Sequence, residues 1–289
     1  MTLYREFTDQ ESLDKAYNPS LGEPRGLASV SGWAARSAVV RGREGFRRIP
    51  FGPTVEEAIN WHRPDAVPSV GAPVHLFIHG GYWRAFSAND HDFVAPAFTA
   101  AGYLVGIVDY ALCPNVTIDE ISRQIRAAIA WTARNVSGLG GNPARITISG
   151  HSAGGHLVGM AAVTDWEGRY ALPADTVKAG MPISGLFDLH PFPYTYLQPK
   201  LQLDWAQVRR NSPILHVRPS PTRLMAMVGG VESGEFHRQS RSFTEAWNAA
   251  GNDGRCRILD GHDHFTILED FADGGKSLHQ DVLAFLNSA

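Results

Sequence analysis

From Val74 onward the chain alternates short apolar runs with segments of helical spacing, and this alternation constrains the fold more than any other feature. Residues 74–78, 103–109, 145–149, 177–183, 223–228 and 255–259 read as strands, short and rich in β-branched residues. Between and after them, residues 88–101, 117–135, 235–250 and 276–286 read as helices. The second of these is the best marked. Thr117 and Glu120 form a capping-box pattern, and Ile118, Ile121, Ile125 and Ile129 recur on one helical face. Two earlier strands are expected at 47–51 and 55–61. The expected fold class is α/β, a mostly parallel sheet of about eight strands with helices on both faces.

No composition break or linker divides residues 1–289, so one domain is expected. Residues 1–45 form an N-terminal arm. It begins with a helix over 8–17, capped by Thr8 or Asp9 and stopped at Asn18-Pro19, and continues as a Gly-, Ser- and Arg-rich irregular stretch holding at most one helical turn. Residues 185–221 are too long for a plain turn and are rich in aromatics. They read as a lid-like insertion over the carboxyl ends of the strands.

A hydrophobic content of 44% is ample for a large core, and a net charge of −3 gives no reason to expect nucleic acid or an anionic membrane. No apolar run is long enough to cross a bilayer, and no leader pattern precedes the first helix. Cys113 and Cys256 sit in no paired motif. A cytoplasmic protein is expected, and the habits of soluble enzymes suggest a homodimer.

The chemistry gathers around Gly150-His151-Ser152-Ala153-Gly154, a G-x-S-x-G placed between a strand and a helix. This is the layout of a nucleophile elbow, in which Ser152 stands on a sharp turn at the end of the sheet. A serine hydroxyl needs a base to take its proton, and the base needs a carboxylate to orient it. Histidines follow the last strand, His262 and His264, and acids follow the strand before it, Glu232 and Glu235. His264 and Glu232 are favoured, with His262 or Asp263 shaping the loop and Glu235 suited to a first helical turn. An oxyanion hole is expected from Gly80 and Gly81, in the His79-Gly80-Gly81-Tyr82-Trp83 stretch after strand 74–78, together with the amide of Ala153. Tyr82, Trp83, Phe86, Tyr110, His151 and Phe187 are candidate substrate contacts in an apolar pocket. Asp90-His91-Asp92 and His262-Asp263-His264 lack the spacing of a zinc helix, so neither metal nor cofactor is expected.

These features resemble the α/β-hydrolases, and the resemblance covers nearly the whole chain. Asp109-Tyr110-Ala111-Leu112-Cys113-Pro114 is similar to a stretch of the hormone-sensitive-lipase-like esterases. A closer resemblance is to the kynurenine formamidase (arylformamidase) family. It rests on H-G-G-x-W at 79–83, G-H-S-A-G at 150–154, E-F-H-R-Q-S at 235–240 and D-H-F at 263–265. The resemblance implies Ser152, Glu232 and His264 as triad and an aryl formamide such as N-formylkynurenine, or a related N-acyl aromatic amine, as substrate. Two departures stand out: Glu232 where the family usually has Asp, and Gly155 where it often has Ala. A carboxylesterase on small or aryl esters needs the same triad and is the alternative. A non-catalytic receptor on the same fold is a remote third, since none of the three residues is lost.

Overall fold

The computed structural model describes residues 2–21 and 24–288, the side chains of 24–27 aside. Eight strands form one sheet in the order β1-β2-β4-β3-β5-β6-β7-β8. They are β1 Arg47–Pro50, β2 Ala58–His62, β3 Ala72–Ile78, β4 Leu104–Val108, β5 Gly141–His151, β6 Ala179–Ile183, β7 Arg223–Gly229 and β8 Gly254–Leu259. Strand β2 runs antiparallel to both β1 and β4, and every other pair is parallel.

The helices are α1 Gln10–Tyr17, α2 Pro24–Arg41, α3 Ala95–Ala100, α4 Ile118–Asn135, α5 Ala153–Ala162, α6 Trp166–Tyr170, α7 Gln198–Leu201, α8 Trp205–Arg210, α9 Gly234–Ala249, α10 Thr266–Ala272 and α11 Ser277–Asn287. Successive strand side chains point to opposite faces, and the core divides accordingly. Val74, Leu76, Ile78, Ile146 and Ile148 meet α1, α4 and α5 on one face. Phe77, Val105, Ile107 and Met181 meet α3, α10 and α11 on the other, where Trp33 of α2 also packs. The α4 stripe lies where its 3.6-residue period places it, with Ile118, Ile121, Ile125 and Ile129 buried. Thr117 caps that helix by accepting from the Glu120 amide, whereas the Glu120 carboxylate turns to Arg123 and Gln124.

Two expectations need correction. The arm is not irregular beyond residue 20: α2 occupies 18 residues, its inner side packed through Trp33, Ser37 and Val40. The stretch 88–101 is broken, with two single 3₁₀ turns, Ala88–Asp90 and Asp92–Val94, before α3. Ser87 and Asp90 cap the start of the first turn by a reciprocal hydrogen-bonded box.

Candidate active site

Strand β5 ends at His151 and α5 starts at Ala153, so Ser152 alone makes the turn, at φ 57° and ψ −116°. A serine held there costs about 1–3 kcal/mol of backbone strain. The turn survives because its amide donates to the Ile183 carbonyl at 2.8 Å, locking the elbow to β6. Glycine is obligatory behind it: a β-carbon on Gly154 would lie 2.0 Å from the Ile78 oxygen. Gly155 follows the same logic, since a β-carbon there would meet the Gly185 Cα at 2.8 Å.

Glu232 sits in the turn after β7 and reaches back into it. Its Oε1 accepts from the Gly229 amide at 2.7 Å and from the Ser184 hydroxyl at 2.5 Å, and its Oε2 accepts from His264 Nδ1 at 2.7 Å. Three donors compensate a carboxylate that is only 6% exposed. The extra methylene relative to aspartate is absorbed by this backward reach. Glu235, one helical turn further, is used elsewhere, accepting from Tyr17 Oη at 2.5 Å and Arg238 Nε at 2.8 Å.

The His264 loop is shaped by its neighbours. Asp263 Oδ1 accepts from the amides of Phe265 and Thr266, at 2.9 and 2.7 Å. His151 Nε2 donates to the His264 carbonyl at 2.6 Å. Burial holds the His151 pKa well below its ordinary value, with His264 adding to the effect, so His151 is a neutral donor. His262 turns outward to Asp270 at 3.1 Å. Asp92 pairs with Arg41 at 2.7 Å and His62 at 2.6 Å.

Ser152 and His264 line one cavity of about 330 Å³ together with Gly80 and Gly81, and Gly80 lies so close to the elbow that a β-carbon on it would be 3.2 Å from Ser152 Cβ. The loop carrying those glycines is bent through the left-handed region, with Gly81 at φ 102°, Tyr82 at 50°, Trp83 at 57° and Phe86 at 67°. Two buried aromatics hold it in place. Tyr110 Oη donates to the carbonyls of His79 at 2.8 Å and Gly80 at 3.3 Å while its ring stacks on His79. A planar trans peptide directs its N–H opposite its C=O, so pinning the Gly80 carbonyl on Tyr110 turns the Gly81 amide the other way. Trp83 Nε1 donates to His156 Nδ1 at 3.1 Å, fastening the loop to α5.

Of the expected substrate contacts, Tyr82, Phe86 and His151 line the cavity. Trp83, Tyr110 and Phe187 do not; each is at most 1% exposed and packed in the interior. Phe187 stacks on Phe243 at 4.3 Å, in a separate cluster beneath α9. The insertion between β6 and β7 contributes only Tyr196 to the cavity lining. Much of the outer wall comes instead from the arm, through Asn18, Pro19, Ser20, Val30 and Trp33. Arg84, His91 and Phe265 also line it, and none of these was marked as a substrate contact in the sequence.

The arm is tied to the Gly81 and Glu232 loops by hydrogen bonds to two consecutive residues. Tyr82 Oη donates to the Tyr17 carbonyl, and Ser233 Oγ donates to the Ala16 carbonyl at 2.5 Å. Tyr17 Oη also meets Glu235, and Gln239 Nε2 donates to it at 3.0 Å. The E-F-H-R-Q-S string thus acts as scaffolding: Glu235, Arg238 and Gln239 receive the arm, and Phe236 packs 4.8 Å from the His264 ring. Tyr17→Phe leaves buried partners unsatisfied and should cost about 1–3 kcal/mol, read as a lower urea midpoint; an unchanged midpoint would remove this anchoring role.

Residues 63–227, more than half of the chain, match the BD-FAE family. A kynurenine formamidase of Danio rerio is 29% identical over 292 residues, covering 97% of both chains. Esterase LipQ of Mycobacterium tuberculosis is 28% identical over 221 residues, covering 70% of this chain and 52% of that protein. Among solved structures, a putative thioesterase from Silicibacter sp. tm1040 matches with a TM-score of 0.80 at 28% identity, covering 92% of this chain and 97% of that one. Esterase 2 of Thermogutta terrifontis shares the fold, with a TM-score of 0.66 at 20% identity, covering 85% and 93%. An elbow serine and a carboxylate-bound histidine sharing one cavity agree with these likenesses: the chain belongs to the BD-FAE family and is a hydrolase of the α/β-hydrolase class.

Proposed function

We propose that this hydrolase cleaves an aryl amide, N-formylkynurenine or a related N-acyl aromatic amine, through a Ser152–His264–Glu232 triad. The observation that carries the reading is the 2.7 Å contact from His264 Nδ1 to Glu232, made by a histidine that shares a cavity with Ser152. Donation from Nδ1 leaves Nε2 as the basic nitrogen. His264 Nε2 takes the Ser152 proton as Oγ bonds to the acyl carbon, and the amides of Gly81 and Ala153, with Gly80 beside them, receive the oxyanion. Collapse of the tetrahedral species breaks the C–N bond, and His264 returns the proton to the departing arylamine. Water then attacks the acyl-enzyme by the same route, releasing the acid and restoring Ser152. No step calls for a cofactor.

The near full-length likeness to a kynurenine formamidase supports the amide reading. The esterase relatives support a second reading, an aryl or small alkyl ester as substrate. Measuring kcat/KM on N-formyl-L-kynurenine beside a short p-nitrophenyl ester separates them. Strong preference for the formamide is expected; ester turnover with negligible formamide cleavage would give the second reading its place. No helix among the described residues is long and apolar enough to cross a membrane. Cytoplasmic placement and a homodimer belong to the same proposal, the former supported by two unpaired cysteines.

Because Tyr110 sets the tilt of the Gly80–Gly81 peptide, Tyr110→Phe is expected to lower kcat about ten-fold or more with little change in KM. The loss stays below the roughly 10²–10³ seen when an oxyanion donor is removed outright. An altered KM at constant kcat would place Tyr110 in substrate binding after all.

A further inference from the structure

The charges around the cavity are unbalanced in one direction. Among the described residues no aspartate, glutamate or lysine lines it, and the one formally charged side chain there other than histidine is Arg84. Arg84 has no ion pair or side-chain hydrogen bond among the described residues. Its backbone is fixed, with its amide donating to the Gly81 carbonyl at 3.0 Å, within the same left-handed loop that buries Tyr82 and Trp83 on either side of the turn. The guanidinium is therefore presented at the rim by a rigid loop. Close by stands Tyr196, whose amide is held by Asp14 Oδ1 at 2.7 Å. Burial raises the Tyr196 pKa, and Arg84 is near enough to oppose that rise, so the phenol is a neutral donor beside a cation. Asn18 adds a carboxamide, its Oδ1 already accepting from the Ser20 amide at 3.1 Å and its Nδ2 left for the cavity. Between this rim and Ser152 run apolar walls from Val30, Trp33, Phe86 and Phe265. Such walls lower the local dielectric and strengthen any charge contact made across them.

We propose that the preferred substrate carries a carboxylate, or another fixed negative charge, on the part remote from the scissile carbonyl, and that Arg84 with Tyr196 receives it. A planar guanidinium beside a phenol is suited to a two-point grip on a carboxylate. A substrate ammonium group, in contrast, finds no carboxylate among the described residues of the cavity lining. This inference rests on the hydrolase reading above and names the charge class that site selects.

The test uses three aryl esters of matched size: phenyl acetate, 3-acetoxybenzoate and the acetate ester of 3-(aminomethyl)phenol. The kcat/KM values of the wild-type chain, Arg84→Gln and Arg84→Lys are compared at low and high salt. The expected order is anion over neutral over cation. The anion-to-neutral ratio is expected to fall about ten-fold in Arg84→Gln, to be largely kept in Arg84→Lys, and to shrink with salt in the wild type. Ser152-dependent turnover with a ratio that Arg84→Gln leaves alone would overturn this inference and spare the hydrolase reading. No Ser152-dependent turnover of any of the three would overturn both.

Discussion

Replacing Ser152 with alanine is expected to lower kcat by about 10⁶-fold, the scale found when a triad serine is removed. Ser152 is the only side chain in the proposed sequence that forms a bond to the acyl carbon, so no neighbour can substitute for it. The turn itself should persist. Its strain is borne by the Ser152 amide on Ile183 and by the glycines around it, none of which depends on the hydroxyl. Unchanged urea unfolding beside lost turnover and lost labelling by an organophosphate would make the result specific. Full residual activity in Ser152→Ala would end the covalent mechanism. Glu232→Gln gives a graded companion. It keeps the shape but can place an amide against His264 Nδ1, disfavouring the tautomer needed, and a loss near 10⁴-fold is expected.

The second large effect is acid lability. Burial lowers the pKa of His75 to about 3, of His91 to about 3 and of His156 to about 4, and holds His151 well below its ordinary value. All four are neutral in the fold. In the unfolded chain they take up protons below a pKa of about 6.5. The unfolded state then binds more protons than the native one, so stability rises with pH in this window and falls as pH drops. Each histidine contributes about 1.4 kcal/mol per pH unit once the unfolded form is fully protonated, roughly 5.6 kcal/mol per unit for the four together. Against a total stability of about 5–15 kcal/mol, unfolding is expected between roughly pH 4 and 5. The contribution is intact above about pH 6.5 and is withdrawn progressively below it. Urea midpoints at pH 7.5, 6.0 and 5.0 test this; a flat series would mean that the histidines are charged in the native protein.

His75 shows why such a cost is tolerated. It bridges Thr147 Oγ1 at 2.9 Å and Ser149 Oγ at 2.7 Å and stacks on Phe98 at 4.5 Å, so its neutral form is fully used. Polar residues on one face of β3 and β5 are thereby joined under a helix.

The sheet was legible because short apolar runs of strand length alternate with segments of 3.6-residue spacing, and strands buried on both faces read as such runs. The elbow was legible because a tight turn admits few residue types. The arm was not. Residues 24–41 carry Gly, Ser and Ala around a few apolar side chains, which leaves no clean stripe, and α2 is held by long-range packing of Trp33 with Phe93 and Phe265. The cavity wall was misread for a related reason. Trp83 and Tyr110 are large aromatics inside motif stretches and Phe187 lies in the aromatic-rich insertion, and those positions suggested contact with substrate. Burial in the core wins, because rings of that size release the most apolar surface from water. The wall is built instead from Trp33, more than a hundred positions before Ser152 in the chain, a closeness that no local pattern encodes.

The docking of the arm through Ala16 and Tyr17 carries a consequence for how such a protein can change. The proposed triad and oxyanion loop belong to the sheet, whereas much of the surface that would sort one acyl or aryl group from another belongs to a short stretch held by a few hydrogen bonds. Exchanging Asn18, Pro19 and Ser20 alters the shape presented to a substrate without disturbing a single strand. Selection, natural or in the laboratory, can therefore redirect this chain towards new compounds by rewriting its least patterned segment.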